Sequence, residues 1–201
     1  MNRPLLRLLI LTFSIFLIAS CGEDISTPKP RGYPKVVYPE RAYQDYSSDD
    51  CPFTFQYPTY SKIQKEEKFF DSPVENACWM DLKLEPFNGS IHMSFKEIGP
   101  KNTLPHLIED MHKLTAKHVV KADFIEDYTI KTDNQVGGML FEVGGDAASA
   151  IQFFLTDSTT HFLRGALYFE STPNADSLAP ILDFVRDDLN HMIDTFEWKE
   201  I

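Results

Sequence analysis

Between Cys51 and Phe169 apolar residues recur in short runs at every second position, and this alternation restricts the chain to strands that bury one face. Phe53, Phe55 and Tyr57 alternate with Thr54 and Gln56, and Pro58 ends the run. Trp79, Met80, Leu82 and Leu84 mark a second strand, stopped by Pro86. Ile91, Met93 and Phe95 alternate with His92, Ser94 and Lys96, and Asn88-Gly89 ahead of them is a tight hairpin signal. Further strands are expected over Phe124 to Ile130, Met139 to Val143, Ser149 to Leu155 and Phe162 to Phe169. The polar stretch Thr156-Asp157-Ser158-Thr159-Thr160 reads as the turn between the last two. Residues 59 to 76 are polar around Phe69-Phe70 and read as a long irregular connection with room for a short helix.

Two segments change period. Leu104, Leu107, Ile108, Met111, Leu114 and Thr115 fall at helical spacing, with Thr103 as a candidate N-cap and Pro105 tolerated in the first turn. Near the end, Leu178, Ile181, Leu182, Val185, Leu189, Met192, Ile193 and Phe196 form one apolar stripe, with acids on the other side. Asn174 or Asp176 can cap that helix. Strands joined by hairpins, one helix between two groups and one at the end, predict an α+β domain. Its sheet should be mainly antiparallel and packed with helices, and a sandwich of the Mog1/PsbP type is the specific expectation.

The first 20 residues follow a different logic. Arg3 and Arg7 precede an apolar run from Leu8 to Ala19 that contains no acid. That is the layout of a secretory signal, and the run is too short to span a bilayer comfortably. It ends in Ile18-Ala19-Ser20-Cys21, which resembles the lipobox cut by bacterial signal peptidase II. On that likeness Cys21 carries a covalent lipid after cleavage. Two or more acyl chains hold a protein stably on a membrane where one does not. Residues 1–20 are therefore set aside as a signal peptide. Residues 21–50 are expected to form an acylated tether and a Pro/Tyr-rich arm, with Pro28, Pro30, Pro34 and Pro39 favouring extended backbone. Tyr33, Tyr38, Tyr43 and Tyr46 suit an arm whose second part rests on the domain or on a partner. Residues 51–201 are expected to form a single domain.

Charge excludes some partners. The chain has a formal net charge of −11, and Arg3 and Arg7 leave with the leader. A body this acidic does not seek nucleic acid or anionic lipid through its field. Cys51 and Cys78 are an even pair in an exported chain, which favours a disulfide over two buried free thiols.

The candidate chemistry is sparse. His106, Glu109, His112 and His118 lie along the first helix, but three-residue spacing drifts around the surface and no HExxH is present, so a solvated face is the better reading. Asp157, Ser158 and His161 are close in sequence, yet no GxSxG turn exists to shape a nucleophile, so a polar hairpin is expected. Gly144-Gly145-Asp146-Ala147-Ala148-Ser149 lacks the lysine of a phosphate loop, and close backbone approach explains its glycines better. Gln152 and Arg164 stand inside apolar strand runs and need a partner or a pocket. Both are carried forward as possible binding residues, with structural pairing of Arg164 to a carboxylate as the favoured explanation. No catalytic set, metal site or cofactor other than the lipid on Cys21 is expected.

One long stretch carries more. The run from Gly144-Gly145-Asp146-Ala147-Ala148-Ser149 through Gln152-Phe153-Phe154 to Arg164-Gly165-Ala166-Leu167-Tyr168-Phe169 closely resembles the gliding motility lipoprotein GldD family of Bacteroidetes. Cys51-Pro52-Phe53-Thr54-Phe55, Ile91-His92-Met93-Ser94-Phe95-Lys96 and Asp194-Thr195-Phe196-Glu197-Trp198-Lys199 extend the likeness, which runs from about residue 33 to the end. Asp146 stands where that family's pattern has Asn. The resemblance implies a cell-envelope protein, lipid-anchored to a membrane, with its domain in the periplasm or at the cell surface. It implies a role in gliding motility and in type IX protein secretion, exercised by contact with other envelope proteins of that apparatus. It implies no known reaction. A small-molecule or glycan-binding envelope lipoprotein is the alternative, resting on Arg164, Gln152 and the histidines.

Overall fold

The computed structural model describes residues 35–66, 68–69 and 72–199. The leader, Cys21 and the tether up to residue 34 lie outside the described residues. The strands are β1 (Tyr43–Ser47), β2 (Phe53–Pro58), β3 (Lys62–Lys65), β4 (Lys68–Phe69), β5 (Ser72–Pro73), β6 (Met80–Leu84), β7 (Gly89–Glu97), β8 (Ala122–Lys131), β9 (Gly137–Gly145), β10 (Ser149–Thr156), β11 (His161–Phe169) and β12 (Glu197–Trp198). The helices are α1 (Leu104–Ala116) and α2 (Ala175–Asp194).

The main sheet has seven strands in the order β3-β6-β7-β11-β10-β9-β8, and β1-β2-β12 form a second sheet. Every pairing is antiparallel. The α+β class and the antiparallel sheet expected from the sequence are thus the architecture observed. Because side chains alternate across a strand, each core strand feeds two layers. Phe53 and Phe55 of the small sheet, and Val185, Leu189 and Met192 of α2, meet Met80, Leu82, Ile91, Phe153, Ile151 and Leu163 on one face of the main sheet. On the opposite face Leu107 and Met111 of α1 pack on Phe141, Phe154 and Phe162. Cys51 and Cys78 are joined as a disulfide with 5.5 Å between their Cα atoms, tying the start of β2 to the approach to β6.

Local departures from expectation have identifiable causes. Residues 59 to 76 hold no helix among the described residues; β3 pairs with β6 there, and β4 with β5. A one-turn 3-10 helix over Glu85–Phe87 replaces the simple hairpin, and Asn88 takes the left-handed conformation (φ 50°) that ends it. Asn174 caps α2 by accepting from the Ser177 amide. Thr103 precedes α1 without a side-chain cap bond.

The Tyr-Pro segment rests on α2. Tyr38 packs on Phe184 and donates to the Pro180 carbonyl, and the Arg41 guanidinium lies 4.5 Å over the Phe184 ring. Tyr43 stacks on His191 at 3.6 Å. The strap then enters the small sheet as β1 along β2.

Candidate functional site

The face of the main sheet under α1 carries polar residues in cross-strand rows. Register sets Asp81 of β6 opposite His92 of β7, His92 opposite Ala166 of β11, and Ala166 opposite Gln152 of β10. The next row runs from Ser94 through Arg164 to Phe154. Gln152 and Arg164, which the sequence sets far apart, are therefore diagonal neighbours on one face.

The two ends of this region differ electrostatically. Asp81 is 3% exposed and bonds His92 Nδ1 at 2.5 Å and Lys83 Nζ at 2.8 Å. Burial would raise its pKa, but the hydrogen bonds and charges of His92 and Lys83 outweigh that and hold it below the ordinary carboxylate value. Burial pushes Glu66 upward, and the Asp81 charge adds to the effect. At the other end Gln152 is fully buried. Its amide meets Thr115 Oγ1 of α1 at 3.4 Å, while that hydroxyl donates its one proton to the Met111 carbonyl at 3.1 Å. Arg164 makes no ion pair or hydrogen bond among the described residues, and its Nε is buried without a partner. Burial pushes its guanidinium pKa down, countered only by Tyr168. The carboxylate favoured as its partner is not found among the described residues. Burial, and then the nearby Arg164 charge, lower the pKa of His118 beyond the end of α1.

The remaining sequence candidates are structural. His106 faces Asp110 at 3.5 Å, Glu109 pairs with Lys113, and His112 lies edge-on to Phe141. No group of three potential metal ligands gathers among the described residues. Asp157 accepts from the amides of Thr159, Thr160 and His161 and from His161 Nδ1, while the His161 ring stacks on Trp198. That arrangement fixes a turn. Gly144 lies under the Phe124 ring, where a Cβ would come within 2.1 Å of it, and Gly145 has φ +90°. Asp146 accepts from the Ala175 amide at the start of α2, where the helix dipole favours a carboxylate.

A second region is apolar and open. β8 is an edge strand ten residues long, and Phe124 and Tyr128 on it are about half exposed. Val119 and Val120 just before it are more exposed still. A cavity of about 320 Å³ opens beside Phe124, between Val143 and Gly144 of β9 and Leu178, Leu182 and Arg186 of α2. An open edge of this length is a template for another strand.

The sequence reading missed one cluster. Asp188 on α2 is 3% exposed and receives Tyr43 at 2.8 Å and Tyr60 at 2.6 Å. The signal was its position between Val185 and Met192 on the apolar stripe, where an acid needs partners.

The model of the family described as gliding motility lipoprotein GldD matches residues 23–198, so the match takes in both polar rows and the β8 edge. The chain belongs to the GldD family. As a member it is a membrane-anchored envelope lipoprotein of gliding motility. No helix among the described residues is long and apolar enough to cross a membrane. No curated protein matches this GldD family chain. Among solved structures it is similar to the solution structure of cyanobacterial PsbP (CyanoP) from Synechocystis sp. PCC 6803, at 16% identity and a TM-score of 0.48, over 84% of this chain and 99% of that one.

Proposed function

We propose that this GldD family lipoprotein is an accessory or assembly component of the gliding motility and type IX secretion machinery, and that it works by docking an extended segment of another envelope protein along β8. The observation carrying this reading is the ten-residue unpaired edge with Phe124 and Tyr128 exposed on it. Strand addition there would satisfy main-chain donors and acceptors, and the aromatic rings would grip alternate side chains of the partner. Asp123, Glu126 and Asp127 on the same strand favour a partner segment carrying Lys or Arg. The lipid on Cys21 would hold this surface at the membrane of a Bacteroidetes envelope. The reading assigns the protein no reaction and no cofactor beyond that lipid.

The test is crosslinked affinity capture of the full chain from its native envelope, beside a Phe124→Glu/Tyr128→Glu variant with matched melting temperature and membrane recovery. Motility or secretion components enriched by the wild type and lost from the variant would support the reading. The same components captured equally by both would overturn docking at β8. Crosslinking only to a second copy of the chain would replace the partner with self-association. A second reading, a small-molecule or glycan-binding lipoprotein, is favoured by one observation: the buried Arg164 Nε without a hydrogen-bond partner.

A further inference from the structure

The turn between α1 and β8 presents two aliphatic side chains to solvent. Val119 is 60% exposed, and Val120 at 86% is the most exposed large apolar residue among the described residues. The turn closes on its own backbone. The Lys117, His118 and Val119 amides donate back to the carbonyls of Leu114, Thr115 and Ala116, and the Lys121 and Ala122 amides both donate to the His118 carbonyl at 2.9 Å. Nothing in that geometry calls for valine, and turns ordinarily take Gly, Asn, Asp or Ser. The valines are flanked by exposed Lys117 and Lys121, which make no ion pair among the described residues. Lys113, one helical turn earlier, is taken up by Glu109. Arg164 lies close enough to His118 for its charge, second to burial, to lower the imidazole pKa. The acid nearest in sequence is Asp123 on β8. The tip is thus a cationic, aliphatic island on a chain with 30 acids to 19 bases.

We propose that the turn at residues 117–121 is a membrane-contacting tip: Val119 and Val120 enter the headgroup boundary of an anionic bilayer while Lys117 and Lys121 meet lipid phosphates. Exposed aliphatic groups rimmed by cations are the chemistry that a lipid surface recognises. The inference rests on the lipid anchor and not on docking at β8. The anchor keeps the membrane within reach and leaves the choice of face to the surface of the domain. A contact too weak to bind from solution then suffices, because tethering makes it intramolecular. The field of the remaining acids pushes the body away from the same leaflet, so attraction at the tip and repulsion elsewhere set one orientation. β8 starts at Ala122, so its open edge begins beside the bilayer.

The test uses the full acylated chain in lipid nanodiscs, with 13C in its valine methyl groups and a nitroxide on an acyl chain of the lipid. One disc contains phosphatidylglycerol and the other phosphatidylcholine alone. Broadening of the Val119 and Val120 methyl signals, stronger in the anionic disc, supports the tip. Buried Val136 and Val185 are the controls and should stay sharp. Lys117→Gln/Lys121→Gln, both at exposed positions, should weaken the contact about tenfold. Sharp Val119 and Val120 signals in a chain that co-elutes with the disc would overturn the proposal. Broadening confined to Val37, which is 78% exposed on the strap, would overturn it in favour of the strap face. Broadening indifferent to headgroup charge and to the lysine variant would overturn it as well. So would tip signals that move with protein concentration in detergent micelles without lipid, the mark of a second copy. Failure to co-elute with the disc would instead remove the anchor, and the tip reading with it.

Discussion

Tyr43 donates a 2.8 Å hydrogen bond to Asp188, a carboxylate of α2 whose other oxygen takes Tyr60 at 2.6 Å. One buried acid thereby joins the strap, the loop after β2 and the last helix. Arg41 lies 3.5 Å from the same carboxylate and 2.8 Å from Asp187.

Asp188→Ala should therefore destabilise the domain by about 3 kcal/mol, because two phenols and a guanidinium lose their common acceptor. Tyr43→Phe removes one neutral-to-charged bond from a partly exposed site and should cost about 1 kcal/mol. Urea denaturation of both variants and of the double variant measures the coupling. Additive losses would show that the tyrosine and the acid act separately.

Stability should fall at alkaline pH. Burial raises the Tyr43 phenol from 10.0 to about 12, with the Asp188 hydrogen bond adding to it, and the same causes push Tyr60 up. A folded pKa raised above the unfolded value contributes stability that is complete below pH 10 and lost as pH rises toward and through 12. Melting temperature followed across that window, with tyrosinate absorbance as the second readout, should drop in the wild type. In Tyr43→Phe the drop should be shallower. An unchanged profile in that variant would remove Tyr43 from the account.

Reduction of the Cys51–Cys78 bond closes off another source of stability. The bridge spans 27 residues, for which loop-closure entropy predicts about 3.5 kcal/mol. Cys51→Ser/Cys78→Ser should lose about that much in chemical denaturation. Reductant should destabilise the wild type and leave the variant where it is.

Gly165 lies under the Phe153 ring, where an added Cβ would come within 2.1 Å of it, and Phe153 is fully buried. Gly165→Ala should overpack the sheet by about 1–3 kcal/mol. Gly99 has nothing within 4 Å of the corresponding position, so Gly99→Ala is the control and should change stability by less than about 0.5 kcal/mol.

The elements that could be read from sequence are those whose burial leaves a period. β2 and most of β7 bury alternate residues, β6, β10 and β11 are buried on both faces and read as short apolar runs, and α2 buries a stripe, so their patterns survive in the order of residues. β1 was hidden because only Tyr46 of its five residues is buried; the strand exists through its pairing with β2. β3 is an edge strand with one partly buried residue, and β12 is two residues long. Gln152 and Arg164 were visible as polar residues in apolar runs. That no carboxylate among the described residues meets Arg164 depends on the cross-strand register, which no local pattern encodes. Asp188 was hidden because acids are common on the outer face of that helix.

The strap along α2 also has a mechanical meaning. In a membrane-anchored lipoprotein, a pull from the membrane would enter the described chain on the side of Tyr38 and meet its holds one after another. First comes the ring on Phe184, then the Arg41 pair with Asp187, then Tyr43 on Asp188, then the β1–β2 ladder. A force that peels rather than shears opens these contacts singly, so the strap can yield in steps while the main sheet stays intact. Peeling that passes Ser47 reaches Cys51, where the bond to Cys78 passes the load covalently to the approach to β6. The segment before that bond is an extensible fuse, and the bond is its stop.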